Sequence, residues 1–407
     1  MKRNIRLLLL AGCTAALLLG CSKDKEEREV EENDTKEQVA FDDVKVKDYT
    51  VLSYSELEVL AYEDDTKAQV MLGRMLEYGT EDVKQDFSEA ISWYKMASDS
   101  GDYEGTCALG YFYLTGTGVT QDLKQAKDLF TAAINDGAIA NAKVGLARVL
   151  LAEGGYQFVE EDTSISADES EDEEEEAPTS TSEDLEQVVT LITEAQKADD
   201  ADAGYYLGKL YQYGIGVPQD YKKAFAYYSG VAASTSTAIQ DRDSINLANV
   251  ALGIMYVKGL GIEENPETAL EYFTKASENG SAKASYYIGQ IYENGIGVDK
   301  DYEQAMEFYL KAADMDYAPA LNQVGYLYYN GYGVDVDFAS AVYYQKLAAL
   351  QGYAIAQVNL GFLYENGYGV ERNLETALAY YEMAADSGYE GAMEAVVRVK
   401  AQINEET

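Results

Sequence analysis

From Ala284 to Asp314 apolar residues return every three or four positions. Ile288, Gly289 and Tyr292 share one helical face, "NGIGVDKD" interrupts it, and Ala305, Phe308, Tyr309, Ala312 and Ala313 resume the period. The pattern predicts two helices joined by a tight turn. Gly295 stands where a left-handed residue would end the first helix, and Asp301 where a side chain would cap the second. Gly289 leaves room for a crossing helix, while Ala305 and Ala312 let neighbouring helix axes approach.

This hairpin recurs. Gly253, Gly289, Gly325 and Gly361 follow one another at intervals of 36 residues, and Gly73 and Gly110 lie 37 apart. A fixed period of that length predicts a solenoid. "LYENGYGV" (Leu363 to Val370) looks in isolation like a glycine-rich phosphate cradle. Its Gly-x-Gly appears in six units, however, and a dinucleotide loop also needs a preceding strand and a third glycine, so the motif reads as a repeated turn.

With "LYQYGIGV", "IYENGIGV" and "LYYNGYGV" beside it, and a Leu-Gly, Ile-Gly or Val-Gly pair before each, the chain resembles the Sel1-like repeat family, relatives of tetratricopeptide repeats. The resemblance covers about residues 67 to 388 in eight units and implies an all-α, right-handed α-solenoid of stacked helical hairpins. The departures fall in particular places. The first unit has "YGTEDVKQD" for the turn, the third has Leu146-Ala147 for Leu-Gly, the fifth has Asn265-Pro266 near its cap, and the last has Asn373 where Asp301 and Asp337 stand. The first and third units are thus the weakest matches.

Two insertions break the period. Between the helices of the third unit, about residues 153 to 184, lies an acidic run; Val159 to Asp184 holds thirteen Asp or Glu and no Lys or Arg, which predicts disorder. Gly208 to Gly253 spans 45 residues, nine beyond the period, as a longer connection or an extended helix. Residues 49 to 66 and 389 to 407 are expected to close the two ends of the array.

The chain begins "MKRNIRLLLLAGCTAALLLGC", a basic start and an apolar run of signal-peptide length. It resembles a bacterial lipoprotein signal over residues 1 to 20, with Cys21 the expected lipidation site rather than Cys13, followed by a charged tether over residues 21 to 48. Ser22 after the cysteine points, by the enterobacterial sorting rule, to an outer-membrane lipoprotein in the cell envelope, facing the periplasm or the surface. Cys107 is expected to pack as a small apolar residue in a helix.

A composition of 47% hydrophobic residues with 36 Tyr supplies a long core. A formal charge of -41 argues against nucleic acid as a partner, and the absence of histidine removes the common hydrolase triads and His-based zinc sites. No cofactor or metal is expected; the acidic run has no glycine for a calcium loop.

Related repeats place their first helix on the concave side, so the candidate binding residues lie beside the Leu-Gly pairs: Tyr287, Gln290 and Asn294, then Gln323, Tyr326 and Asn330, then Asn359, Phe362 and Asn366. Amides and aromatic rings in that order suit an extended peptide or a glycan. The expected function is a non-catalytic, membrane-anchored scaffold or adaptor for protein partners of unknown identity. The alternative is a glycan- or peptidoglycan-binding protein or a β-lactamase-like hydrolase of the same family, although the paired cysteines that the resemblance implies for such enzymes are missing.

Overall fold

In the computed structural model each predicted turn is closed by the same few atoms. Asp301 accepts from the backbone N–H groups of Glu303 and Gln304, both at 3.0 Å, and so starts a helix. The Asp301 amide itself donates to the Tyr292 carbonyl at 2.9 Å, pinning the second helix to the first. Gly295 ends the first helix with φ 72° in the left-handed region, where its N–H reaches the Ile291 carbonyl at 2.8 Å.

The structure describes residues 48–80, 82–137, 139–156, 182–236 and 239–406, within one unit that runs from Asp48 to Thr407. The signal, Cys21, most of the tether and the acidic run from 157 to 181 lie outside the described residues. The elements that are described are helical, with a short 3-10 turn, Tyr49–Val51, at the start. The leading helix α1 (Tyr54–Tyr62) precedes eight hairpins. These are α2 (Thr66–Tyr78) with α3 (Phe87–Asp99), α4 (Tyr103–Thr115) with α5 (Leu123–Gly137), α6 (Ala140–Glu153) with α7 (Ser182–Gln196), and α8 (Ala201–Tyr213) with α9 (Tyr221–Ala232). The later four are α10 (Ile239–Lys258) with α11 (Pro266–Glu278), α12 (Ala282–Asn294) with α13 (Tyr302–Ala313), α14 (Ala318–Asn330) with α15 (Phe338–Leu350), and α16 (Ala354–Asn366) with α17 (Leu374–Asp386). Helix α18 (Glu390–Glu406) packs on α17. Each helix touches the next in sequence, which makes the array an α-solenoid of stacked hairpins.

Where a hairpin carries the crossing glycine on its first helix, a second-helix ring lies over it; the third unit has Ala147 at that position. A Cβ on Gly289 would stand 2.5 Å from the ring of Tyr309, and one on Gly253 2.5 Å from Phe273. The residue one turn after the glycine matches the ring. Under Tyr94, Tyr228 and Tyr381 it is Glu77, Gln212 and Glu365, which accept the phenol at 2.7, 2.8 and 2.8 Å. Beyond Gly110 and Gly253, whose rings are Phe130 and Phe273, it is Leu114 and Val257. A buried hydroxyl is thus given an acceptor and a bare ring an apolar neighbour. The seventh unit departs: Gly325 faces Gln345, whose amide donates to the Asn322 carbonyl at 3.0 Å.

The second glycine of each turn joins one unit to the previous one. A Cβ on Gly333 would lie 2.4 Å from the carbonyl oxygen of Tyr302, and one on Gly369 2.3 Å from that of Phe338. Gly-x-Gly therefore cradles protein backbone. The extra residues before the fifth unit resolve as an extended helix, since α10 runs for 20 residues where α8 and α12 have 13.

Candidate binding cavity on the first helices

Helices α2, α4, α6, α8 and α10 touch one another in series and line a cavity of about 730 Å³. Each contributes a stripe at helical spacing: Arg74 and Tyr78, Glu104 and Tyr111, Asn141 and Arg148, Asp202 and Lys209, Ser244 and Leu247. The first turns of α10, which exist because of the lengthened fifth unit, bring Asp241, Asp243 and Ser244 to this wall.

Arg148 is one of the lining residues. Its guanidinium carbon lies 5.4 Å from the Tyr111 ring centroid and 5.3 Å from that of Tyr206, a cation held between two aromatic faces. The Tyr111 hydroxyl donates to the Asn141 carbonyl at 2.8 Å and also contacts the Asn141 side chain. Asp202 accepts from the Ser244 hydroxyl, a contact that ties α8 to α10. Arg74 pairs with Glu104 at 3.1 Å, and the Lys209 ammonium sits 5.4 Å from the Tyr205 ring.

Six carboxylates line the cavity against three cations. Burial pushes the Asp200 carboxyl up to about 6 against the pull of its cap bond from the Ala203 amide, and the neighbouring Asp202 and Asp241 charges push the same way. Burial also raises Asp202, with Asp241 and Asp243 adding to it and Ser244 and Arg148 opposing. Glu77 is raised by burial despite its bond from Tyr94 and the nearby Arg74. Cys107, in α4, is buried, and that burial drives its thiol far above its ordinary value, so it packs as an apolar group.

The residues expected from the sequence to form a groove lie on α12, α14 and α16, outside this cavity. Tyr287 and Gln290 are corrected to interior positions. Tyr287 is 0% exposed, 5.2 Å from the Phe273 ring, and the buried Gln290 amide donates to the Tyr286 hydroxyl at 2.9 Å. Asn294, Asn330 and Asn366 each donate to the carbonyl four residues back, at 3.0, 2.9 and 2.8 Å, and so finish their own helices. Gln323 reaches Glu293 at 3.2 Å and Asn359 reaches Asn322 at 2.9 Å, both bridging units. Of the three aromatic residues among the nine, Tyr326 and Phe362 are open, at 41% and 40% exposure, and Asn294 and Asn366 are exposed as well.

The position that builds the cavity follows the helix-crossing glycine, or Ala147 in the third unit. In the first four units it holds Arg74, Tyr111, Arg148 and Lys209, and all four line the cavity. Three cations at one repeat position, in a chain with 31 Lys or Arg against 72 acids, is a signal the sequence carried.

The family model described as the Sel1 repeat matches residues 66–102, 104–137, 201–229, 246–281, 282–317, 318–353 and 354–389, more than half of the chain. The chain belongs to the Sel1 repeat family. The first unit, despite its altered turn, is matched; the third, α6 with α7, is not, and it keeps the hairpin without the motif. Sel1 repeats and the related tetratricopeptide repeats are protein-interaction scaffolds, generally without catalysis. A Sel1 repeat protein from Oxalobacter formigenes is similar in fold, with 24% identity and a TM-score of 0.53 over 85% of this chain and 90% of that one. Also similar in sequence, at TM-scores of 0.36 and 0.27, are a Sel1 repeat protein from Klebsiella pneumoniae (22% identity, 57% of this chain and 96% of that one) and a protective antigen of uropathogenic Escherichia coli (21%, 86% and 91%).

Proposed function

We propose that this Sel1 repeat chain is a non-catalytic adaptor of a bacterial cell envelope, held to the membrane by a lipid on Cys21, which binds a protein partner along its first helices. The observation that carries the binding half is the cavity itself. Five consecutive first helices place charged and aromatic side chains toward one space. Side chains needed only for stacking would be apolar there. Most cavity groups have structural partners as well, as in the Arg74–Glu104 pair and the Tyr111–Asn141 bond, which preorganises the wall for recognition. The anchoring half rests on the leader and its terminal cysteine. Among the described residues no helix is long and apolar enough to cross a membrane, so attachment through those elements would need another means.

Cell fractionation tests the anchor and affinity capture the scaffold. The Cys21→Ser chain is expected in the soluble fraction; retention in the membrane fraction contradicts lipidation at this residue. A partner captured from solubilised envelope by the full chain is expected to remain when Val159 to Asp184 are deleted. A partner lost with that deletion would place recognition on the acidic run and contradict the assignment to the repeats.

A further inference from the structure

We infer that the cavity formed by the first five units receives an arginine or lysine side chain carried by an extended segment of the partner. This rests on the scaffold reading above and adds the chemistry of what is bound. The cavity's own cations are already placed: Arg74 on Glu104, Arg148 between the rings of Tyr111 and Tyr206, Lys209 against Tyr205. With those cations placed, the walls are still left with an excess of carboxylate, in which Glu77, Asp200, Asp241 and Asp243 approach one space from α2, the start of α8 and α10. Carboxylates set in recessed, low-dielectric walls focus a negative potential. An entering anion would meet that potential and would have to draw Arg148 from its two rings.

An entering guanidinium or ammonium gains on both counts. Carboxylates accept its N–H groups, and the exposed parts of the tyrosine faces attract its charge. The volume of about 730 Å³ falls in the range of ligand-holding cavities, roughly 300–1,000 Å³, and leaves space for a long side chain with the backbone that carries it. Burial is the main cause that raises the carboxyls of Asp200, Asp202 and Glu77, and an incoming cation would offset that cost to their charged forms.

The test screens the full chain against a random dodecapeptide library at physiological ionic strength, and then measures single peptides against counterparts with citrulline in place of arginine. Recovered peptides are expected to be enriched in Arg or Lys, with the arginine peptide binding about tenfold more tightly than its citrulline form. Glu77→Gln, which keeps an acceptor for Tyr94, and Asp243→Lys, an exposed rim position, are each expected to cost about tenfold. Glu371→Lys makes the same charge change at an exposed turn outside the cavity and is expected to change nothing. An equal loss in Glu371→Lys would assign the effect to overall charge and overturn the inference. So would recovery of no peptides, or of acidic or apolar ones; apolar peptides released by Asp243→Lys would overturn the cation while leaving the cavity as the binding site.

Discussion

Gly333→Ala is expected to destabilise the array by about 3 kcal/mol and to loosen the seventh unit from the sixth. Two costs combine. An alanine at φ 69° pays about 1 kcal/mol for the left-handed backbone, and its Cβ would lie 2.4 Å from the Tyr302 carbonyl oxygen. That oxygen belongs to backbone at the start of α13 and cannot swing aside, so the turn has to lift from the helix it rests on. Gly352→Ala separates the two costs, because Gly352 also has positive φ, at 84°, yet nothing lies within 4 Å of its Cβ position. Its loss should be near the backbone cost alone. Chemical denaturation gives the difference between the two variants. Hydrogen exchange should show faster opening of α14 to α18 in Gly333→Ala, since units in a solenoid are held chiefly by their neighbours. Equal losses for Gly333→Ala and Gly352→Ala would show that the second glycine is not a stacking contact.

Gly289→Ala is the companion inside a hairpin. On an open helix, alanine for glycine stabilises by about 0.5–1 kcal/mol, and that gain is expected at Gly230, a helical position with nothing within 4 Å. At Gly289 the sign reverses. The added carbon would meet the Tyr309 ring at 2.5 Å, and this ring is fully buried with its hydroxyl bound to Glu293. Overpacking of this kind costs about 1–3 kcal/mol, and a net loss of about 2 kcal/mol is expected at equilibrium. A stabilised Gly289→Ala would mean that α12 and α13 have slack where the structure shows contact.

These two glycines also show why the fold was legible. Gly289, Gly295 and Asp301 act through near neighbours in sequence, so each repeats its signature whenever the hairpin repeats. Caps, turns and ring seats are local, and a period multiplies them. The rings that settle over the glycines needed only helical spacing to be found, as with Tyr309.

The cavity was harder to read because it is made from different residues in every unit. Arg74, Tyr111, Arg148 and Lys209 occupy one repeat position, and although three of them are cations, only stacking of their helices brings them to one wall. Asp241 and Asp243 join them only because the nine extra residues continue as helix, an alternative the sequence left open. Tyr287 misled for a related reason. It sits beside Ile288 and Gly289, where a quarter-turn separates the interior from the open face, and its ring turns inward to Phe273. The amides of Asn294, Asn330 and Asn366 looked like ligands to a backbone, and the backbone they bind is their own.

Recognition at the first five units is tested most directly by a photo-crosslinking amino acid placed at single positions of the full chain in its native cells. Tyr78 and Tyr206 line the cavity, whereas Tyr326 and Phe362 are open rings of the groove first read on the later units. Adducts with a partner protein are expected from Tyr78 and Tyr206 and to be absent from Tyr326 and Phe362. Adducts from Tyr326 and Phe362 with none from the cavity would contradict the account and move recognition to the groove first read from the sequence.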